Sequence, residues 1–110
     1  MIQIIGTKKC KETQKAIRAA KERRIEFQFV DLKERDLSKK EWESIFNKYD
    51  AEELIDKESK LYKKKGFSYM VYDAREELEE NSDLLITPII RCKQKVNKGF
   101  DINKIIDWSK

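Results

Sequence analysis

The sequence predicts one α/β domain spanning 1–110, with a central four-stranded mixed sheet in the order β-α-β, helical insert, β-β-α. Three observations predict it. The first thirty residues pass from a β-branched run to a helical repeat and back to a run rich in Phe and Val. Residues 38–84 then carry apolar side chains at helical spacings. After the single proline, a short hairpin pattern precedes a last amphipathic helix.

Each element has its own signal. Ile2, Ile4 and Ile5 form a β-branched run stopped at Gly6-Thr7, the pattern of a buried strand. From Lys11 the period becomes helical, with Thr13, Ala16, Ile17 and Ala20 on one face, and it runs out at Arg23-Arg24, cations suited to a helix C-terminus. Phe27, Phe29 and Val30 make a second strand ending at Asp31. A strand-helix-strand unit this short implies two parallel strands with a right-handed crossover.

Ser38 opens the next helix and Glu41 completes a capping box, with Trp42, Ile45, Phe46 and Tyr49 facing inward. Leu54, Ile55, Leu61 and Tyr62 fall at helical spacings in one or two short helices between Asp50 and Lys65, which Gly66 ends. Asp73 begins another helix, with Leu78 inward and Leu84-Leu85 near or beyond its end. Ile89 to Cys92, a turn at Lys93-Gln94 and Lys95 to Asn97 read as a hairpin. Asp101 caps a final helix whose Ile102, Ile105, Ile106 and Trp108 face the core.

Composition narrows the function. The chain has 110 residues, 39% hydrophobic and 42% charged, and its net charge of +4 separates 25 basic from 21 acidic side chains interleaved along the sequence. Interleaved signs make a solvated surface rather than the one-signed stripe of a specific nucleic-acid binder. The densest basic run, Lys60, Lys63, Lys64 and Lys65, has acidic neighbours. No apolar stretch approaches the roughly 20 residues that span a membrane, and the N-terminus lacks the features of a signal peptide. Two cysteines are too few for a disulfide framework, so the expected location is the reducing cytosol. Histidine is absent. Ser-His, Cys-His and zinc-His schemes are thereby excluded, and no metal site is expected.

The chemistry that remains centres on Cys10. It falls in the connection after the first strand, where the next helix begins, so unpaired backbone N–H groups and the helix dipole favour a thiolate there. Lys8, Lys9 and Lys11 flank it. Such surroundings lower a thiol from about 8.5 into a range of roughly 3.5–7.5. Pro88, at the start of the third strand, is the second pointer. A proline there, with a cysteine at the first helix N-terminus, resembles the thioredoxin arrangement, in which a cis proline lies against the reactive sulfur and exposes backbone groups to substrate.

The resemblance sharpens over the whole chain. Ile4 to Ala16, Lys60-Leu61-Tyr62, Thr87-Pro88-Ile89-Ile90 and Gly99-Phe100-Asp101 are similar, in order and spacing, to the arsenate-reductase (ArsC) and Spx family. That family has a thioredoxin-like fold with a helical insert, which here implies a core of 1–32 and 86–110 and an insert of 38–84. It also implies Cys10 as the nucleophile, with Thr7, Lys8, Lys9, Lys11, Thr13, Thr87 and Pro88 as the residues around thiolate and substrate. Family arsenate reductases hold their oxyanion with arginines, whose planar fork suits a tetrahedral anion. At the matching positions this chain has Gln14, Thr87, Phe100 and the neighbourhood of Asp56 and Lys57. Lysine replaces the charge but not the bidentate geometry, which argues against arsenate as the substrate.

Spx-type members often carry Cys-x-x-Cys, and here the second position is Thr13. Cys92 lies four residues beyond Pro88, on the order of 13 Å along a strand, whereas a disulfide needs Cα atoms within about 7 Å. Cys92 therefore reads as a small core residue. A lone nucleophile requires an external thiol such as glutathione as co-substrate, with no bound cofactor. Two functions follow from the resemblance: a thiol-dependent oxidoreductase acting on a small thiol or oxidised substrate, or a regulatory module similar to Spx that contacts RNA polymerase. Neither involves a membrane.

Overall fold

A computed structural model describes residues 1–66 and 72–110. In chain order the elements are β1 (Ile2–Gly6), α1 (Lys11–Glu22), β2 (Phe27–Asp31), α2 (Lys39–Lys48), α3 (Ala51–Leu54), α4 (Lys60–Lys65), α5 (Ala74–Glu80), a 3-10 turn (Ser82–Leu84), β3 (Ile89–Cys92), β4 (Lys95–Lys98) and α6 (Ile102–Trp108). They divide into two compact units, one of Met1–Asp36 with Thr87–Lys110, the other of Leu37–Ile86.

The first unit holds the sheet, in the order β2-β1-β3-β4. β1 and β2 are parallel, as a strand-helix-strand unit requires, with Ile4 opposite Phe29. β3 runs antiparallel to β1, with Ile90 opposite Ile4, and pairs antiparallel with β4 across the hairpin. The sheet is thus mixed and four-stranded, as the sequence predicts. On one face Ile2, Ile4 and Ile90 meet Ala16 and Ala20 of α1 and Ile105 of α6. Each isoleucine so buried contributes roughly 1.5–3 kcal/mol. Exposed ion pairs such as Lys15–Glu12 contribute at most about 1 kcal/mol, so the apolar layer decides the stability. Small alanines on α1 let the helix lie close against the sheet.

On the seven-residue α6, Ile105 is fully buried, Ile102 and Trp108 pack partly buried against the same core, and Ile106 is buried to a similar intermediate degree. The ends of α1 and the hairpin are unusual. Ile25 N–H bonds to the Ala20 carbonyl and Arg24 N–H to that of Lys21, which closes α1 with Arg24 at φ 55°. Lys93 takes φ 58° in the hairpin turn. A side chain in this left-handed region costs about 1 kcal/mol relative to glycine.

The second unit is helical. Ser38 Oγ accepts from Glu41 N–H at 3.2 Å while Glu41 Oε1 accepts from Ser38 N–H at 2.7 Å, the capping box the sequence signals. Trp42 and Ile45 are buried; Phe46 stacks on Trp42 at 5.2 Å, and the Arg75 guanidinium lies over the Phe46 ring. α2 stops at Lys48, so Tyr49 is its extended cap rather than part of its inner face. Gly66 ends α4 in the left-handed conformation. Leu54, Leu78 and Leu84 are fully buried, and an Ile55–Leu85 bridge ties α3 to the end of the unit. No helix among the described residues is long and apolar enough to cross a membrane.

Candidate functional site around Cys10

β1 delivers the chain to α1 through a tight turn. Cys10 N–H bonds to the Thr7 carbonyl at 3.2 Å, and the Cys10 carbonyl accepts from Gln14 N–H at 3.0 Å, the first intrahelical bond. Cys10 is therefore the N-cap of α1, with extended backbone. A helix N-cap ordinarily supplies an oxygen to the second or third amide of the helix. Here a sulfur stands in that place, and no side chain caps those amides. The amides in question are those of Glu12 and Thr13.

Thr87 stands across from the sulfur. The Cys10 thiol donates to the Thr87 carbonyl at 3.6 Å, across 77 residues of sequence. The Thr87–Pro88 peptide is cis, and Gly99 N–H bonds to the Pro88 carbonyl at 2.8 Å. Thr13 closes the site from the first turn of α1. It is fully buried, and its hydroxyl is the one buried side-chain N or O atom among the described residues with no hydrogen-bond partner. An orphaned buried hydroxyl is uncommon and costs roughly 1–3 kcal/mol. Thr13 fits because residue 6 is glycine: a Cβ there would overlap its hydroxyl and come within 2.8 Å of its Cγ2.

These contacts set the protonation of Cys10. Burial pushes the thiol up. Hydrogen bonds offered to the ionised sulfur by the side chains of Thr13 and Thr87 and by the N–H groups of Thr13 and Glu12 outweigh it, and the sulfur is held below its ordinary value. Thr87 thus faces both forms, its carbonyl accepting from the thiol and its hydroxyl donating to the thiolate. Ionisation also supplies the acceptor that Thr13 otherwise lacks.

The structure brings Cys10, Thr13 and Thr87 together. Thr7 contributes its carbonyl to the turn and Pro88 follows Thr87 directly. Lys8, Lys9 and Lys11 are all exposed, and Lys8 lies 3.8 Å from Glu34. Gln14 turns its side-chain amide to the Lys8 carbonyl, bracing the turn. Phe100 packs against the core, and Asp56 and Lys57 belong to the helical unit. Arg91 is held by Gln3, its partner in the β1–β3 ladder, through an Nη1 donor to Oε1. Cys92 is half-buried, packs on the core and donates to the Trp108 carbonyl at 3.8 Å. Sequence reasoning missed Gly6 as part of the site. Its signal was its place at the strand end, seven residues before the buried threonine. No cluster of three or more His, Cys, Asp or Glu suited to a metal occurs among the described residues.

Comparison with solved structures concerns the fold. An arsenate reductase from Vibrio cholerae superposes with a TM-score of 0.78 at 15% identity, over 96% of this chain and 95% of that one. The fold is that of the arsenate reductases. An ArsC-related protein from Brucella melitensis shares it with a TM-score of 0.70 at 20% identity, covering 99% and 94% of the two chains. The YffB protein aligns over the whole of both chains, with a TM-score of 0.83 at 14% identity. No protein-family model and no curated protein matches the sequence. The likeness is therefore one of fold, and within the arsenate-reductase fold this chain places glutamine, threonine and phenylalanine where the resemblance anticipates arginines.

Proposed function

We propose that the protein is a monothiol oxidoreductase of the reducing cytosol, with Cys10 as its nucleophile and an external thiol such as glutathione as its reductant. The observation that carries this reading is the Cys10 sulfur at the N-cap of α1, held below its ordinary pKa by Thr13, Thr87 and the first-turn amides against the opposing effect of burial. The thiolate attacks one sulfur of an oxidised small-molecule disulfide. A Cys10–substrate disulfide forms as the substrate S–S bond breaks, and the departing thiolate takes a proton from water. A glutathione thiolate then attacks the substrate sulfur of the mixed disulfide, Cys10 leaves as thiolate and a glutathione–substrate disulfide is released. A second glutathione cleaves that to glutathione disulfide and the second substrate thiol, so two glutathiones together supply the two electrons. The lysines at 8, 9 and 11 keep the approach electropositive. A disulfide needs no bidentate grip, whereas arsenate does, and neither the Thr7–Gln14 segment nor Thr87 offers an arginine.

The test is the pH dependence of Cys10 alkylation in a Cys92→Ser background, with Cys10→Ser as the blank. A midpoint well below about 8.5, with glutathione-dependent turnover of a small disulfide, is expected. A midpoint at or above the ordinary thiol value would sink this reading and return attention to an RNA polymerase contact of the Spx kind.

A further inference from the structure

At the opposite end of β1 from Cys10 lies a cavity of about 860 Å³. Its wall is built from the end of α1, the β3–β4 turn and the end of α6, with Ile25, Cys92 and Trp108 among its lining residues. Four cations, Arg24, Lys93, Lys95 and Lys110, also line it, against a single acid, Glu26. Some cations elsewhere among the described residues, such as Lys15, Lys65 and Arg75, stand beside carboxylates, while others, such as Lys9, Lys11 and Lys104, do not. Among the described residues, none of the cavity's four cations has an ion pair or a side-chain hydrogen bond.

Two of these cations also occupy unusual positions. Arg24 and Lys93 are the non-glycine residues with positive φ in the described chain, at a helix end and in a two-residue hairpin turn. Glycine or asparagine is the usual choice at both kinds of position. Here both carry a positive charge, and both charges belong to the same concave surface. A bare inorganic anion is far smaller than this volume, whereas cavities of roughly 300–1,000 Å³ take organic ligands. The indole of Trp108 and the side chain of Ile25 provide apolar wall for such a body.

From these observations we infer that the cavity is a binding site for a small organic polyanion, of nucleotide size, separate from Cys10 and independent of the chemistry proposed there. Cys92 is its built-in reporter. Cations around a thiol raise the local concentration of an anionic reagent, and salt screens the effect.

The experiment uses the full chain carrying Cys10→Ser. Iodoacetate, relative to neutral iodoacetamide, is expected to alkylate Cys92 roughly fivefold faster than it does in the Arg24→Gly/Lys93→Gly variant at low salt, with the difference lost at high salt. In calorimetry ADP is expected to saturate one site per chain and to slow Cys92 alkylation, and to bind at least as tightly as inorganic pyrophosphate. Each glycine variant should weaken ADP by about tenfold while its Tm is no lower than that of the parent. Lys104→Ala, a cation of α6 outside the cavity, should leave ADP binding unchanged. Equal weakening by Lys104→Ala, binding of pyrophosphate alone, or no protection of Cys92 would each overturn the inference. A fall in Tm in both glycine variants would do the same, because it would give Arg24 and Lys93 a structural role in place of a binding one.

Discussion

The two cysteines sit in one unit and are exposed to a similar degree, yet their sulfurs meet opposite surroundings. Cys92 lies within a strand, where its thiol donates to the Trp108 carbonyl and its flank packs on the core. Cys10 lies at a strand-to-helix junction, where hydrogen-bond donors converge on the sulfur from Thr13, Thr87 and the first amides of α1. A strand interior has already used its N–H groups in the ladder; a helix start has N–H groups to spare. The lesson is that the protonation of such a sulfur is set by the donors that surround it, first the hydroxyls of Thr13 and Thr87 and then the unpaired amides of the helix start, more than by flanking lysines. Among the groups that lower Cys10 are two hydroxyls and two amides, while its flanking lysines point to solvent.

The widest separation between the two sites should come from deleting each sulfur. Cys10→Ser should reduce turnover of a small disulfide to the uncatalysed background, whereas Cys92→Ser should keep wild-type turnover. Equal losses in that assay would abolish the contrast drawn above.

Packing beneath Cys10 comes next in size. Gly6→Ala drives a methyl into Thr13 and should cost about 1–3 kcal/mol in urea unfolding. Placed on Thr13→Ala, which removes the overlapping hydroxyl and Cγ2, the same change should cost clearly less. An unchanged cost would mean that Gly6 serves something other than room for Thr13.

A subtler variant is Thr13→Val, which keeps the shape and removes the donor. The alkylation midpoint of Cys10 should rise. Stability at a pH low enough to keep Cys10 a thiol should hold or improve by up to about 1 kcal/mol, because a buried hydroxyl with no partner is exchanged for a methyl. A lower midpoint would contradict the assignment of Thr13 as a donor to the thiolate.

The smallest effect is a slope. Cys10 is held below its ordinary value in the folded state, so between its folded and unfolded pKa values the unfolded chain binds more protons. Folding stability should therefore rise with pH across that window. The contribution is complete above the unfolded value and gone once the pH has fallen through the folded one. Subtracting the profile of the Cys10→Ser/Cys92→Ser double variant from that of Cys92→Ser isolates it, and a falling difference would reverse the sign assigned here.

Much of this was legible in the residues themselves. The β-branched run of β1, the Ser38–Glu41 box, Gly66 and the Asp101 cap each act over a few positions, so local pattern suffices to find them. Cys10 at the start of α1 and Thr13 on its inner face could be placed by spacing alone. What escaped were contacts between distant elements. Gly6 reads as a strand stop, but its lack of a side chain matters because Thr13 packs over it from another element. The pairing of Arg91 with Gln3 spans 88 positions and follows from sheet register, which the strand pattern alone does not fix.

The unpartnered hydroxyl of Thr13 has one more effect. On the thiol chemistry proposed above, capping Cys10 with a substrate removes the charge from its sulfur and strands that hydroxyl again, whereas cleaving the new bond at Cys10 restores its acceptor. The pocket thereby favours Cys10 as the leaving group. It weights the covalent adduct toward release, as befits a carrier that must hand its cargo on.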